Sequence, residues 1–400
     1  MKKILLLGGS YFQIPSIIKT KELGYYAITC DYLPDNPGHK YADEYHNVST
    51  TDKESVLELA KVLNVNGIVC YASDPGAPTA AYVAEKLGLP GHPYKSVEIL
   101  TNKGLFRDFL EKHGFNTPKA KTYSSALEAQ KELVDFNFPL FIKPVDSSGS
   151  KGVSLLINPQ NFLEKAEEAL KFSKSKRFII EEYIENEGYQ VGGDGFSVSG
   201  KLVFRCFNNQ HFDEKSLNPF IPVAISYPCI KSSDVQTKIH NEIQRLFDLL
   251  KMQSGGYNFE VRVTNDDKIW IVEIGARNGG NLVPQITKYA TGVDMVEYVI
   301  KAAVGDDCSS LYMAETKGFW TNYKVSSQES GKLKHVFVDD EFRLNNLVEL
   351  NMYYQPGDIV PYFSNTSGIL GIAISKYSST DEMLTKVNDM YNLIKVELEV

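Results

Sequence analysis

Phe138-Pro139-Leu140-Phe141-Ile142-Lys143-Pro144-Val145-Asp146-Ser147-Ser148-Gly149-Ser150-Lys151-Gly152-Val153 sets one lysine inside an apolar strand and follows it with a loop of small residues. A buried ammonium is costly unless something anionic meets it. A Ser/Gly loop offers backbone N–H groups without bulky side chains, so Ser147, Ser148, Gly149, Ser150 and Gly152 can close over phosphate oxygens that Lys143 also reaches. The plainer alternative is a solvated lysine beside a mobile hairpin. No GxxxxGK[ST] precedes a helix, so this is not a Walker A loop.

Downstream, Asn258–Val263 and Ile269–Ile274 read as two strands joined by the polar turn at 264–268. A hairpin turning near Asp266-Asp267 sets Glu260 opposite Glu273. Two bare carboxylates at that distance repel unless a cation lies between them, and Mg²⁺ carrying nucleotide phosphates is such a cation. Two solvent-facing glutamates on alternating strands are the bland reading.

Upstream, residues 1–90 alternate strand and helix: strands at Ile4–Leu7, Tyr26–Cys30 and Gly67–Tyr71, helices at Ile14–Leu23, Lys53–Leu63 and Ala77–Leu87. That rhythm predicts a parallel sheet covered on both faces. Gly8-Gly9-Ser10 is not GxGxxG, so a tight strand–helix turn is expected there rather than a dinucleotide site. Helices are expected at Thr101–His113, with Thr101 or Asn102 as cap, and at Asn161–Phe172, Asp234–Leu250 and Asp381–Leu393. The N-terminal apolar run is too short for a membrane span and reads as a buried strand rather than a leader.

The chain has 400 residues, 43% hydrophobic and 23% charged, with a formal net charge of −8. That balance excludes a general nucleic-acid binder, which needs a basic stripe. The five cysteines are scattered and lack zinc spacing, as in reduced thiols of a cytoplasmic protein.

Together these motifs resemble the ATP-grasp superfamily, in the carboxylate–amine ligase branch with biotin carboxylase-like and carbamoyl-phosphate-synthase-like proteins. The resemblance implies an α/β and α+β chain. A parallel-sheet pre-ATP-grasp domain would span 1–95. A two-lobed ATP-grasp domain would span 96–315, with a lid lobe at about 120–182 and a metal and substrate lobe at about 183–315. A small C-terminal α+β part would fill 316–400. It implies ATP and Mg²⁺ (or Mn²⁺) as cofactors, with Lys103 and Lys143 on the phosphates and 147–152 as the lid. Glu181-Glu182-Tyr183-Ile184 would be the adenine hinge, Glu260 and Glu273 the metal ligands, and Arg277 the residue that steadies a carboxylate or its acyl phosphate. Small carboxylate and amine substrates are implied, without nucleic acid or membrane, and a homodimer fits the family.

Two departures stand out. Gly188 occupies the place of an acidic ribose-binding residue, leaving Glu187 as the substitute. Gly275 replaces an asparagine that would bind a second metal, leaving Asn278 or Asn281 to compensate; Asn278 is also a substrate candidate beside Arg277. The polar segment 201–228 is assigned to substrate contact, with His211 a candidate general base or else an exposed loop histidine. Asp74, just past a strand end, is a further substrate candidate. The expected reaction forms an acyl phosphate and passes it to an amine. Bicarbonate-using and aminoribotide ligases are the nearest alternatives, and an inactive nucleotide-binding sensor is the alternative of another class.

Overall fold

The computed structural model describes residues 1–399. Ile4, Leu5, Leu6 and Leu7 are all buried, so their strand needs neighbours on both edges and a layer on each face. β1 (Lys3–Leu7) pairs in parallel with β2 (Tyr26–Cys30) and β4 (Gly67–Cys70), and β2 with β3 (Glu44–His46), in the order β3-β2-β1-β4. Helices α1 (Ile14–Glu22), α2 (Lys53–Leu63) and α3 (Ala77–Leu87) make the crossovers. The Gly8-Gly9-Ser10 turn is a structural joint. Its N–H groups are spent inside the domain, Gly9 on Asp31 Oδ2 (3.2 Å) and Ser10 on Gln13 Oε1 (3.0 Å).

Thr101 is not a cap. It closes α4 (Tyr94–Thr101), a helix that the sequence pattern does not signal, and Asn102 caps α5 (Lys103–Lys112) by accepting from Leu105 N at 3.1 Å. A four-stranded antiparallel sheet follows, ordered β5-β8-β6-β7, from β5 (Ala120–Tyr123), β6 (Leu140–Pro144), β7 (Ser154–Leu156) and β8 (Phe178–Glu182). Helices α6 (Ala126–Lys131) and α7 (Phe162–Phe172) cover one face through Ala129, Phe162 and Ala166, packed on Leu140, Ile142 and Ile180.

The largest layer is one eight-stranded sheet. It begins with β9 (Gln190–Val198), β10 (Lys201–Phe212) and β11 (Pro222–Tyr227). After α8 (Ser233–Leu250) it adds β12 (Gly255–Val263) and β13 (Ile269–Gly275). Beyond α9 (Val283–Thr291) and α10 (Met295–Ala303) come β14 (Phe319–Ser326), β15 (Gly331–Val338), α11 (Asp340–Asn345), β16 (Leu347–Met352), β17 (Ile359–Val360) and β18 (Ile369–Tyr377). The sheet order is β13-β12-β9-β10-β11-β14-β18-β16. The C-terminal segment is therefore not a separate layer: three of its strands extend the central sheet across the boundary expected at 316. The expected last helix is broken into α12 (Thr380–Asn388) and α13 (Met390–Leu393), and β19 (Ile394–Leu398) completes a small β17-β15-β19 sheet.

Two corrections follow from this sheet. Residues 201–228 are mostly strand, and Asn208, Asn209, Gln210 and His211 are buried in it. Their side chains are satisfied by the neighbouring strands: Gln210 accepts from Gln190, Asn209 donates to Ser226, and Asn208 donates to Tyr227. β9 is hidden in the sequence: Gly192, Gly193 and Gly195 suggest a loop but lie mid-sheet between β12 and β10. A Cβ on Gly193 would stand 2.3 Å from Cys206 O, and one on Gly195 2.6 Å from the Phe259 ring. Glycine is kept there for close approach rather than for turning.

α8 and α5 bury Ile239, Ile243, Phe247, Phe106 and Leu110 against Phe259, Val261 and Ile271 on one face of this sheet. α10 leaves the sheet to pack Val296, Ile300 and Ala303 on Ile4, Leu6 and Val69 of the N-terminal sheet. At that joint a Cβ on Gly67 would lie 2.4 Å from Ala303 O. Gly67→Ala is therefore expected to push α10 off β4 and cost about 1–3 kcal/mol, read as a lower urea midpoint; an unchanged midpoint would show that the joint is slack.

Candidate active site

Strand register sorts the polar residues onto two faces, because side chains alternate along a strand. Glu260 is paired with Glu273 and with Gly192, Gly192 with Asn208, Gln210 with Ile225, and Ile225 with Asn322. Glu260, Glu273, Asn208, Gln210, Asn322 and Lys324 therefore share one face. Asn209, His211, Ser226 and Tyr323 lie on the other. His211 is neither exposed nor on a loop. Its ring meets Ser226 Oγ at 2.8 Å and Tyr189 at 4.5 Å between ring centres, and burial pulls its pKa down to about 4. A neutral histidine on the far side of the sheet is no general base for a site at Glu260.

The Glu260–Glu273 pair sets two carboxylates side by side in the sheet. Burial, and then the charge of Glu273, push the Glu260 carboxyl up to about 7, despite Arg277, Lys324 and Lys103 pulling the other way. Lys103 Nζ lies 3.5 Å from Glu273 and donates to the Ser147 carbonyl at 2.9 Å, tying the small-residue loop to the pair. The loop closes against the C-terminal half of the chain. Ser150 Oγ donates to Phe220 O (3.2 Å), and a Cβ on Gly149 would strike Thr366 Oγ1.

Lys143 does meet an anion. Its ammonium lies 2.6 Å from Glu181, and Arg107 Nε lies 2.9 Å from the other carboxylate oxygen, out of line for a hydrogen bond. Burial alone would raise the Glu181 carboxyl, but Arg107 and Lys143 overcome it and hold it near 2; burial also lowers the Lys143 pKa. Arg107 carries no signal in the sequence, since an arginine on an amphipathic helix looks like a solvated one. It also donates to Val272 O at 2.9 Å, so α5, the β5-β8-β6-β7 sheet and β13 meet at one guanidinium.

In the segment expected to be the hinge, Tyr183 N–H donates to Pro139 O (2.9 Å) and Ile184 O accepts from Arg262. Glu182 accepts from Asn137 (2.8 Å), and the Glu187 side chain is exposed. Gly188 has φ +63, a left-handed conformation that explains a glycine there.

Arg277 and Asp74 face each other. The guanidinium donates from Nε to Asp74 Oδ1 (2.7 Å) and from a second nitrogen to Oδ2, a bidentate pair. Gly275 makes room for it: a Cβ there would lie 3.0 Å from Asp74 Oδ1 and 3.1 Å from the Arg277 guanidinium carbon. Asn278 is buried and reaches Asp194 Oδ2 at 3.3 Å. Asp194, unsignalled in a glycine-rich strand, also accepts from Asn258 Nδ2 (2.9 Å) and Gly279 N–H (2.9 Å) and so fixes the turn after β13. Among the described residues no group of three or more His, Cys, Asp or Glu is placed to hold a metal; the glutamate pair is the acidic feature of this face.

Two expected outcomes test this geometry. Glu181→Gln leaves Arg107 and Lys143 buried without a carboxylate and should cost about 3–5 kcal/mol in chemical unfolding; a loss under 1 kcal/mol would mean the network is solvated. Asp194 has its pKa raised from 3.8 to about 6 by burial. A raised carboxyl pKa stabilises the fold below pH 4 and loses that contribution as pH climbs through 6. Relative to the wild type, Asp194→Asn should therefore gain about 2 kcal/mol between pH 4 and pH 7. Urea unfolding across that range reads it, and a pH-independent gap would exclude it.

Residues 136–285 match the family model described as "ATP-grasp domain". An uncharacterised protein, y4rH, of Sinorhizobium fredii is 23% identical over 357 residues, covering 86% of this chain and 72% of that protein. The carbamoyl phosphate synthase large chain of Pseudothermotoga lettingae is 24% identical over 328 residues, covering 78% of this chain but 29% of that protein, so the chain spans less than a third of that relative's length. Among solved structures, an L-amino acid ligase from Bacillus licheniformis superimposes with a TM-score of 0.82 at 19% identity, covering 100% of this chain and 99% of the other. No helix of the described residues is long and apolar enough to cross a membrane. Residues 136–285 therefore resemble an ATP-grasp domain, and the whole chain shares the fold of that L-amino acid ligase.

Proposed function

We propose that this chain is a Mg-ATP-dependent ligase that activates a carboxylate as an acyl phosphate and passes the acyl group to an amine, releasing ADP and phosphate. The observation that carries this reading is the Glu260–Glu273 pair, opposed in register, with Lys103 linking it to the small-residue loop. A carboxylate pair with one member's pKa raised to about 7 fits a divalent cation, which would supply charge neutralisation at the phosphates.

Glu260 and Glu273 hold the metal in this reading, Lys103 and Lys143 reach the phosphates, and the N–H groups of 147–152 cover them. The backbone at Glu182–Ile184 reads the base, with Glu187 near the ribose. A carboxylate oxygen attacks the terminal phosphorus, the bond from that phosphorus to its bridging oxygen breaks, and ADP leaves. The amine nitrogen then attacks the acyl carbon, phosphate departs and the nitrogen gives up a proton. The lid keeps water from the mixed anhydride. The similarity to an L-amino acid ligase and to carbamoyl phosphate synthase supports carbon–nitrogen ligation as the reaction class.

ADP release from Mg-ATP, measured with pooled amino acids, small carboxylic acids, amines and bicarbonate, tests it. Release should depend on a pool and fall by at least about 10²-fold in Glu273→Gln, with that variant's melting temperature little changed. AMP and pyrophosphate as products, or full activity in the variant, would refute the reading.

A further inference from the structure

The N-terminal and central sheets meet through α10, which packs Ile300 and Ala303 on Leu6 and Val69, and through the Arg277–Asp74 pair. A cavity of about 90 Å³ remains at this joint, with Val69, Ala303 and Arg277 all on its wall. Close-packed interiors leave few voids larger than a water, and this one has room for a molecule of about five heavy atoms. Much of the remaining wall is short apolar side chains: Ala77 and Ala81 of α3, Val97 of α4 and Val299 of α10.

One polar group on that wall lacks a partner. Asn278 is 1% exposed, its Nδ2 is turned to Asp194, and its Oδ1 accepts no hydrogen bond from the described residues. A Cβ on Gly256, also on the wall, would stand 2.7 Å from that oxygen and 2.9 Å from Val299 Cγ2. The oxygen therefore faces the space that Gly256 leaves bare. An acceptor buried without a donor is costly. A water needs two to four polar partners, and this corner of the wall is one oxygen, a methyl group and a bare α-carbon. The titratable groups on the wall carry no free charge. Burial pushes the Cys70 thiol up to about 12 and pulls His92 down to about 4, and Arg277 is spent on Asp74. The cavity thus disfavours ions and suits an N–H or O–H donor on an apolar body.

We propose that this cavity is an accessory binding site for a small uncharged molecule, of the size and chemistry of a three-carbon primary amide or alcohol, whose donor meets Asn278 Oδ1. Because Ala276, Arg277 and Asn278 are themselves wall, an occupant braces the turn after β13 against β4 and α3. The proposal does not rest on the ligase reading. The test is NMR of the full chain carrying ¹³C-labelled alanine methyls, titrated with propionamide. Methyl acetate, of the same size without a donor, and propionate, of the same size but charged, are the controls. Propionamide should shift the Ala77, Ala81 and Ala276 methyls saturably, with about millimolar affinity, and leave the Ala166 methyl under the β5-β8-β6-β7 sheet in place. Methyl acetate and propionate should bind at least about tenfold more weakly, a comparison that needs no variant to fold. Ala81→Leu, which fills the cavity, should weaken propionamide at least about tenfold, read on Ala276. No saturable shift, the mark of a cavity filled by water alone, would overturn the proposal. So would equal binding of methyl acetate or of propionate, or undiminished binding in a folded Ala81→Leu.

Discussion

The Glu181 carboxylate, buried between Arg107 and Lys143, is the contact on which the geometry of the site depends. Glu181 lies near the end of β8, Lys143 stands on its neighbour β6, and Arg107 comes from α5 and donates to carbonyls of β13. A carboxylate held near pKa 2 between two cations stays charged throughout the neutral range. The two sheets are therefore tied by fixed charge, beside the aromatic contact of Phe141 with Phe220. A buried ion pair adds little net stability over an apolar one, but it is costly to break and specific in geometry.

The same economy of charge runs through the rest of this face. Glu260 and Glu273 are set opposite one another, and burial together with the neighbouring carboxylate raises the Glu260 pKa. Arg277 and Asp74 neutralise each other across the junction of the N-terminal and central sheets, and Gly275 is the clearance that lets them. Lys324 is left with a carbonyl. An acidic pair and a lysine without a carboxylate partner thus lie on one face of the central sheet. The C-terminal strands matter because β14 brings Lys324 to that surface, which a detached C-terminal part would not do.

The local motifs are legible because each is written in adjacent residues. The lysine strand and small-residue loop, the two strands around a polar turn, and the alternating strands and helices of residues 1–90 are short-range patterns. The Glu260–Glu273 register follows from hairpin geometry alone, so two apolar runs and the polar turn between them are enough to predict it. Asn102, Gly24 and Gly88 likewise signal helix ends through local backbone conformation.

What lies across the sheet is not legible in this way. Asp194 sits among glycines that look like a loop, and its partners are Asn258, Asn278 and Gly279, more than 60 residues away. His211 and Gln210 are neighbours in sequence, yet the alternation of a strand sends them to opposite faces, and only the pairing of β10 with β9 and β11 says which face holds the site. Arg107 and Lys324 look like ordinary surface cations until packing buries them. The sequence by itself determined the order of motifs and the paired glutamates, because these depend on local spacing. Which charges find partners, and which do not, the tertiary structure decided, because desolvation is a property of the packed molecule and not of any segment of chain.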